Sequence, residues 1–219
     1  DWRRLRENID IPAYLATSGI DRLTDKASVG AARGFAQPAF CTWLIERARG
    51  RLERAYINDP ASGEQREHPM RTATTCAFGP LDRDLIVAIM QERAARISNV
   101  PVAQHEAPNV ISYEPGQKFD RHYDFFEPQA PGYEQEVLTQ GQRVITVVTY
   151  LNDDFDGAPT QFPLLGLEFK GETGDAVAFS NVLGDGAPDR NTLHAGLPPT
   201  QGRKWVLSQW IRSLRQVIR

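Results

Sequence analysis

Residues 117–126 read QKFDRHYDFF. On an extended strand successive side chains alternate between faces. Asp120, His122 and Asp124 are therefore expected on one face, and Phe119, Arg121, Tyr123 and Phe125 on the other. If that strand lines a cavity, His122 and Asp124 can reach one metal ion together. The pair alone is weak, because His-x-Asp is met often by chance. Its weight depends on what surrounds it.

Outward toward the C-terminus, short apolar segments alternate with turn residues: NVISYEPG, QRVITVVTYLND, DGAPTQFP, GLEFKGETGDAVAFSNV and TLHAGLPPTQGRKWVLSQWIR. They predict strands of an antiparallel sandwich or barrel, with the β-branched run RVITVVTYL at 143–151 at its centre. Residues 128–142, PQAPGYEQEVLTQGQ, read as a linker and candidate mobile lid.

Outward toward the N-terminus the pattern is helical. Residues 38–56 open with a proline suited to a first turn and place Phe40, Trp43, Leu44, Ala48 and Leu52 at helical spacing. A turn-rich loop is expected at 58–63 and a strand at 71–78. A second amphipathic helix is expected over 82–98, with Asp82 and Asp84 at its start, where the helix dipole favours acids. The fold class expected is α+β with a mainly β core, one domain over 1–219. Residues 1–100 supply mostly helical support and 101–219 the β core.

Composition narrows the function classes. The chain has 219 residues, 41% hydrophobic and 24% charged, with a net charge of −3. That suits a globular core and gives no hint of a nucleic-acid or membrane surface. No apolar run approaches the roughly 18 residues of a membrane span. The start, DWRRLREN, has no signal-like hydrophobic stretch and no initiator Met, so a piece of a longer chain with further N-terminal domains is expected. Cys41 and Cys76 are not in a metal or redox spacing. They are expected as reduced buried thiols of a cytoplasmic protein.

The best third ligand is His194, in NTLHAGLPP. His68 lies in the charged EQREHP loop, and His105 follows Pro101 at a helix-to-strand junction. Two histidines and one carboxylate leave three octahedral positions open, the donor set of non-haem Fe(II) oxygenases. In RKWVLSQWIR, a strand would put Lys204, Val206, Ser208 and Trp210 on one face. An inward lysine is costly unless an anion meets it, and a dicarboxylate cosubstrate would be such an anion.

Taken in order, RTATTCAF, an amphipathic helix, YEPGQKFDRHYDFF, GQRVITVVTYLND, DGAPTQFP, GDAVAF and LHAGLPPTQGRKWVLSQWIR resemble the prolyl 4-hydroxylase branch of the 2-oxoglutarate- and Fe(II)-dependent dioxygenases. The resemblance covers about residues 71–213. It implies a double-stranded β-helix, or jelly roll, buttressed by N-terminal helices. It implies His122, Asp124 and His194 as iron ligands, and Lys204 and Tyr113 on the distal carboxylate of 2-oxoglutarate, with Thr160 close by. Arg143 and Trp210 are implied to border the substrate. The implied activity is hydroxylation of an unactivated C–H bond of a prolyl residue in a peptide or protein, using Fe(II), 2-oxoglutarate and O2 and releasing succinate and CO2. Ascorbate is a further cofactor that the resemblance allows.

Two departures stand out. Ala158 replaces the second of two glycines usual in the family, and Phe119 stands where a tyrosine is common. The second puts peptidyl-proline recognition in question and keeps a free amino acid or small natural product open as substrate. Two other classes remain: a catalytically idle jelly roll that binds a partner, and a metal-dependent isomerase or cupin-type enzyme. The latter would have no use for Lys204 and Tyr113 together.

Overall fold

The computed structural model describes residues 19–58, 61–62, 64–127 and 130–216. The DWRRLREN stretch and half of the predicted 58–63 loop, residues 59, 60 and 63, lie outside the described residues. Strands β1 (Ile20–Arg22) and β2 (Val29–Ala32) precede helix α1 (Pro38–Arg49). Short strands β3 (Glu53–Arg54), β4 (Ile57–Asn58) and β5 (Gln65–Arg66) lead to β6 (Thr74–Ala77) and helix α2 (Leu85–Ser98). β7 (Asn109–Tyr113) and β8 (Phe119–His122) come before helix α3 (Glu134–Gln140). The long β9 (Arg143–Tyr150) is followed by β10 (Phe155–Gly157), β11 (Thr160–Phe162) and β12 (Leu167–Phe169). The chain then adds β13 (Ala176–Ser180), β14 (His194–Gly196), β15 (Pro199–Gly202) and β16 (Lys204–Arg212).

A major sheet of eight strands runs β1-β2-β13-β9-β16-β7-β6-β3, and a minor sheet of four runs β12-β11-β14-β8. Every pairing within them is antiparallel. This is the jelly roll, and β9 lies inside the major sheet as its β-branched sequence predicts.

The alternation of the central strands builds two cores. Val110, Val147, Trp205 and Leu207 face α1 and α2, where they meet Phe40, Leu44, Val87 and Met90. Their sequence neighbours Ile111, Val148 and Val206 face the space between the sheets, with Tyr113, Tyr150, Phe162 and Phe179. Both faces of β16 are therefore covered, and all nine of its residues are buried. Burial on this scale is the main stabilising term, at about 25 cal/mol per Å² of apolar surface.

Several sequence expectations need correction. The helix predicted over 38–56 ends at Arg49, because Gly50 caps it, and Leu52 lies beyond. A glycine costs about 1 kcal/mol against Ala in a helix interior and is a favoured stop. The second helix begins at Leu85, with Asp84 accepting the Val87 N–H at 2.8 Å; Asp82 sits in a preceding 3-10 turn. The stretch read as a linker holds α3 instead, tied down where Arg212 bonds Glu136 at 2.6 Å. The N-terminal hundred residues are not only helical: β1, β2, β3 and β6 extend the major sheet. Cys41 and Cys76 are free and buried, as expected.

The strand expected over 117–126 covers only Phe119–His122. Its pairing with β14 is irregular: His194 opposes His122, but Gly196 opposes Phe119. Ala195 on β14 thus faces both Asp120 and Arg121 on β8, a β-bulge, which reverses the alternation of side chains. Phe119 consequently stacks on His122 at 3.4 Å between ring centroids. Asp120 does not share the His122 face; it is partly exposed and pairs with Lys118 at 2.7 Å.

Candidate active site

Between the sheets, β8 and β14 set His122 directly opposite His194. Asp124 follows in a bend just past β8 and is buried. One ligand atom from each of the three lies within 4.8 Å of the others. The Nδ1 of His122 lies 2.7 Å from the Asp120 carbonyl, and that of His194 lies 3.0 Å from the Thr192 carbonyl. A carbonyl only accepts, so each Nδ1 carries the proton and each neutral ring presents Nε2 as a bare acceptor. Both Nε2 atoms lie 3.6 Å from an oxygen of Asp124. Three acceptors facing one another without a donor between them are an unfavourable arrangement that a cation converts into a favourable one. The donor set fits a divalent transition metal with open positions.

The electrostatics agree with this. Burial, then the neighbouring His194, pushes His122 down to about 3, so its ring is neutral at neutral pH. Burial opposes ionisation of Asp124, but the charge of His194 and His122 in their protonated forms, with Arg143 and the Thr146 hydroxyl, draws its carboxyl below the usual range.

Thr146, on β9, donates to Asp124 at 2.7 Å and accepts from Asn181 at 2.9 Å. Neither residue stands out in the sequence, because a threonine in a β-branched run reads as a strand former. Hydrogen-bond partners of metal ligands are typically worth about 10–100-fold in metal affinity. Thr146→Val should therefore weaken Co(II) binding by about that factor with secondary structure retained, as a titration followed by circular dichroism would read. Unchanged affinity would make the Thr146 bond irrelevant to the centre.

Deeper in the barrel lies Lys204, 1% exposed. Its ammonium meets the Ala158 carbonyl at 2.8 Å and the Tyr150 phenol at 3.4 Å. Among the described residues no carboxylate pairs with it. Burial, with Lys170 nearby, lowers it to about 7. A buried cation held by neutral groups alone is under-compensated, and an anionic ligand would complete it. Ala158, which supplies that carbonyl, has φ +52°, a left-handed conformation disfavoured for any side chain but glycine.

Tyr113 is buried, and burial raises its phenol to about 12. A Cβ at Gly196 would come within 3.0 Å of the Tyr113 hydroxyl, so glycine is what lets the tyrosine approach β14. Tyr150 donates to the Phe169 carbonyl at 2.7 Å and accepts from the Thr160 N–H at 3.0 Å, which orients Thr160 beside the same slot.

A cavity of about 460 Å³ opens from the metal ligands to the surface, walled by Phe119, Tyr123, Phe126, Arg71, Arg143 and Trp210. Arg143 is not a lone charge there. It forms a two-bond pair with Glu106, at 2.6 and 2.8 Å, and lies 4.2 Å from the Trp210 ring centre. Trp210 shares the inward face with Val206 and Ser208, as the strand alternation predicts. Its Nε1 and the Nε of Arg71 are buried donors without a partner among the described residues. Neither Arg71 nor Glu106 is singled out by the sequence, since each gains its meaning only when distant segments meet.

Residues 108–212 match the family described as the 2OG-Fe(II) oxygenase superfamily. The chain is 32% identical over 199 residues to probable prolyl 4-hydroxylase 6 of Arabidopsis thaliana, covering 82% of this chain and 67% of that protein. It is 30% identical to probable prolyl 4-hydroxylase 10 of the same plant, matching 78% of this chain and spanning 64% of that relative's length. Among solved structures, the viral collagen prolyl hydroxylase of Paramecium bursaria Chlorella virus-1, in its 2OG complex, aligns with a TM-score of 0.67 at 25% identity. That alignment covers 88% of this chain and 99% of the viral one.

Proposed function

The chain belongs to the 2OG-Fe(II) oxygenase superfamily, and on that premise we propose that it hydroxylates a prolyl residue in a peptide or protein, with Fe(II) and 2-oxoglutarate as cofactors. The observation that carries the reading is the convergence of His122, Asp124 and His194 next to a buried lysine that lacks an anion. A catalytically idle jelly roll needs neither feature, and an isomerase of this fold has no use for the lysine.

In this proposal His122, Asp124 and His194 hold the metal. Lys204 and Tyr113 take the distal carboxylate of 2-oxoglutarate, with Thr160 beside them. When bound, iron and 2-oxoglutarate supply O2 activation, with succinate and CO2 as by-products; the protein binds and orients. Its jelly-roll walls exclude water from the slot.

The substrate follows from the cavity. A prolyl residue has no backbone N–H, so it offers carbonyl acceptors and an apolar ring. The cavity offers the complement: unpaired donors on Arg71 and Trp210, and the aromatic faces of Phe119 and Phe126. The two relatives in Arabidopsis thaliana are named probable prolyl 4-hydroxylases, which supports the same substrate class. Arg71 also favours a second reading. Its guanidinium has no carboxylate partner among the described residues, and burial lowers it from its usual range. It could take the carboxylate of a free amino acid.

Succinate release and the mass gain of one oxygen, measured with proline-containing peptides and with free L-proline, separate the two. Turnover of peptides with L-proline inert supports the proposal. The reverse result replaces it with the amino-acid reading, and no coupled succinate with any of them removes it.

A further inference from the structure

The largest cavity described, about 700 Å³, is not the one that opens on the metal ligands. It lies on the other side of Glu106, Phe126 and Arg143, which line both. Its walls hold two buried acceptors that no described residue satisfies. The Nε2 of His105 lies 3.2 Å from the Val100 carbonyl, so Nε2 carries the proton and Nδ1 is the bare acceptor. That Nδ1 and the Oε1 of Gln91 have no partner among the described residues. His105 is 5% exposed and Gln91 7%. Leaving a buried acceptor unsatisfied is costly, so each is a standing demand for an incoming N–H or O–H.

Charge adds a second requirement. Three arginines, Arg83, Arg143 and Arg212, line this cavity against two glutamates, Glu106 and Glu136. Arg143 pairs with Glu106, and Arg212 with Glu136. Arg83 is exposed, and no ion pair engages it among the described residues. The cavity therefore suits a ligand that brings both N–H donors and a carboxylate.

We infer that this cavity is a subsite for an acidic segment of the peptide substrate, flanking the residue that enters the metal cavity. The inference rests on the proposed peptide substrate. The chemistry of the two cavities is complementary along one chain. Next to the metal, unpaired donors await the carbonyls around a residue that has no N–H. Across the Glu106–Arg143 wall, unpaired acceptors await ordinary backbone N–H groups, and Arg83 awaits an Asp or Glu side chain. Arg83, Gln91 and His105 take no part in holding metal or cosubstrate.

The test uses two short synthetic peptides with one central proline, alike except for a Glu-Glu or a Gln-Gln pair in the flank. Each flank is tried in turn. Wild-type protein should turn over the acidic peptide with kcat/KM about fivefold above the neutral one, the range of a single exposed ion pair, with the difference in KM. In Arg83→Glu that preference should vanish or reverse, while turnover of the neutral peptide stays as it was. In Gln91→Leu, KM for the acidic peptide should rise with no loss of thermal stability, because the amide oxygen it removes bonds no described residue. Equal turnover of both peptides by the wild type, or an acidic preference that survives Arg83→Glu, overturns the subsite and leaves prolyl hydroxylation standing. Failure to bind or turn over either peptide overturns both.

Discussion

Asp124→Ala should abolish 2-oxoglutarate turnover and lower metal affinity by more than about 100-fold, since loss of a hydrogen-bond partner alone costs about 10–100-fold. The geometry makes the loss severe. Asp124 supplies the only negative charge among three groups converging within 4.8 Å. Without it two neutral imidazoles remain, and Thr146 loses the acceptor that it meets at 2.7 Å. The check is a Co(II) titration together with melting curves. Metal should raise the melting temperature of the wild type, because it binds only the folded state, and leave that of the variant unmoved. Retained metal affinity and turnover in a folded variant would sink the ligand assignment.

Lys204→Met should raise the KM for 2-oxoglutarate by about 30-fold at the least, since truncating one partner of a buried charge pair costs about 2–5 kcal/mol. The same substitution should make the ligand-free protein more stable. It swaps an ammonium that has only neutral partners for an apolar chain of similar length, and such exchanges are neutral or favourable by about 1–4 kcal/mol. The pH dependence gives the sign. Lys204 falls to about 7 in the folded protein from the ordinary 10.5. Between those values the unfolded chain holds a proton that the folded one has released, so stability rises with pH. The burial penalty is whole below pH 7, declines by about 1.4 kcal/mol per unit above it, and is gone beyond 10.5. Wild-type and variant melting temperatures should therefore converge as pH climbs through that window. A variant that is destabilised at every pH and binds 2-oxoglutarate normally would show that Lys204 is structural.

Part of this site was legible in the sequence because it depends on local rules. The inward face of β16 follows from strict alternation, and α2 from helical period and an acidic cap. The predicted pairing of His122 with Asp124 is realised although the strand ends between them. What stayed hidden depends on closure of the fold. Asp124 is held by Thr146 and Asn181, 22 residues downstream and 35 further on. Arg143 looks like a free charge until Glu106 is brought against it. The α3 segment reads as a linker because EQEVLTQ carries no apolar stripe and comes shortly after a Pro-Gly pair. Gly50 ends α1 without breaking the apolar period that continues to Leu52.

The bulge in β8 has a practical consequence for anyone wishing to redirect this protein to new substrates. Counting parity from His122 would send a mutagenesis library to position 120 and spare 119. The pairing register inverts that choice. A saturation library at 119 samples the surface that faces an incoming molecule, while one at 120 samples a solvent-facing ion pair. Phe119→Tyr and Phe119→Leu are the natural first clones, because they change polarity and size at one wall of the cavity and leave all three metal-facing side chains in place.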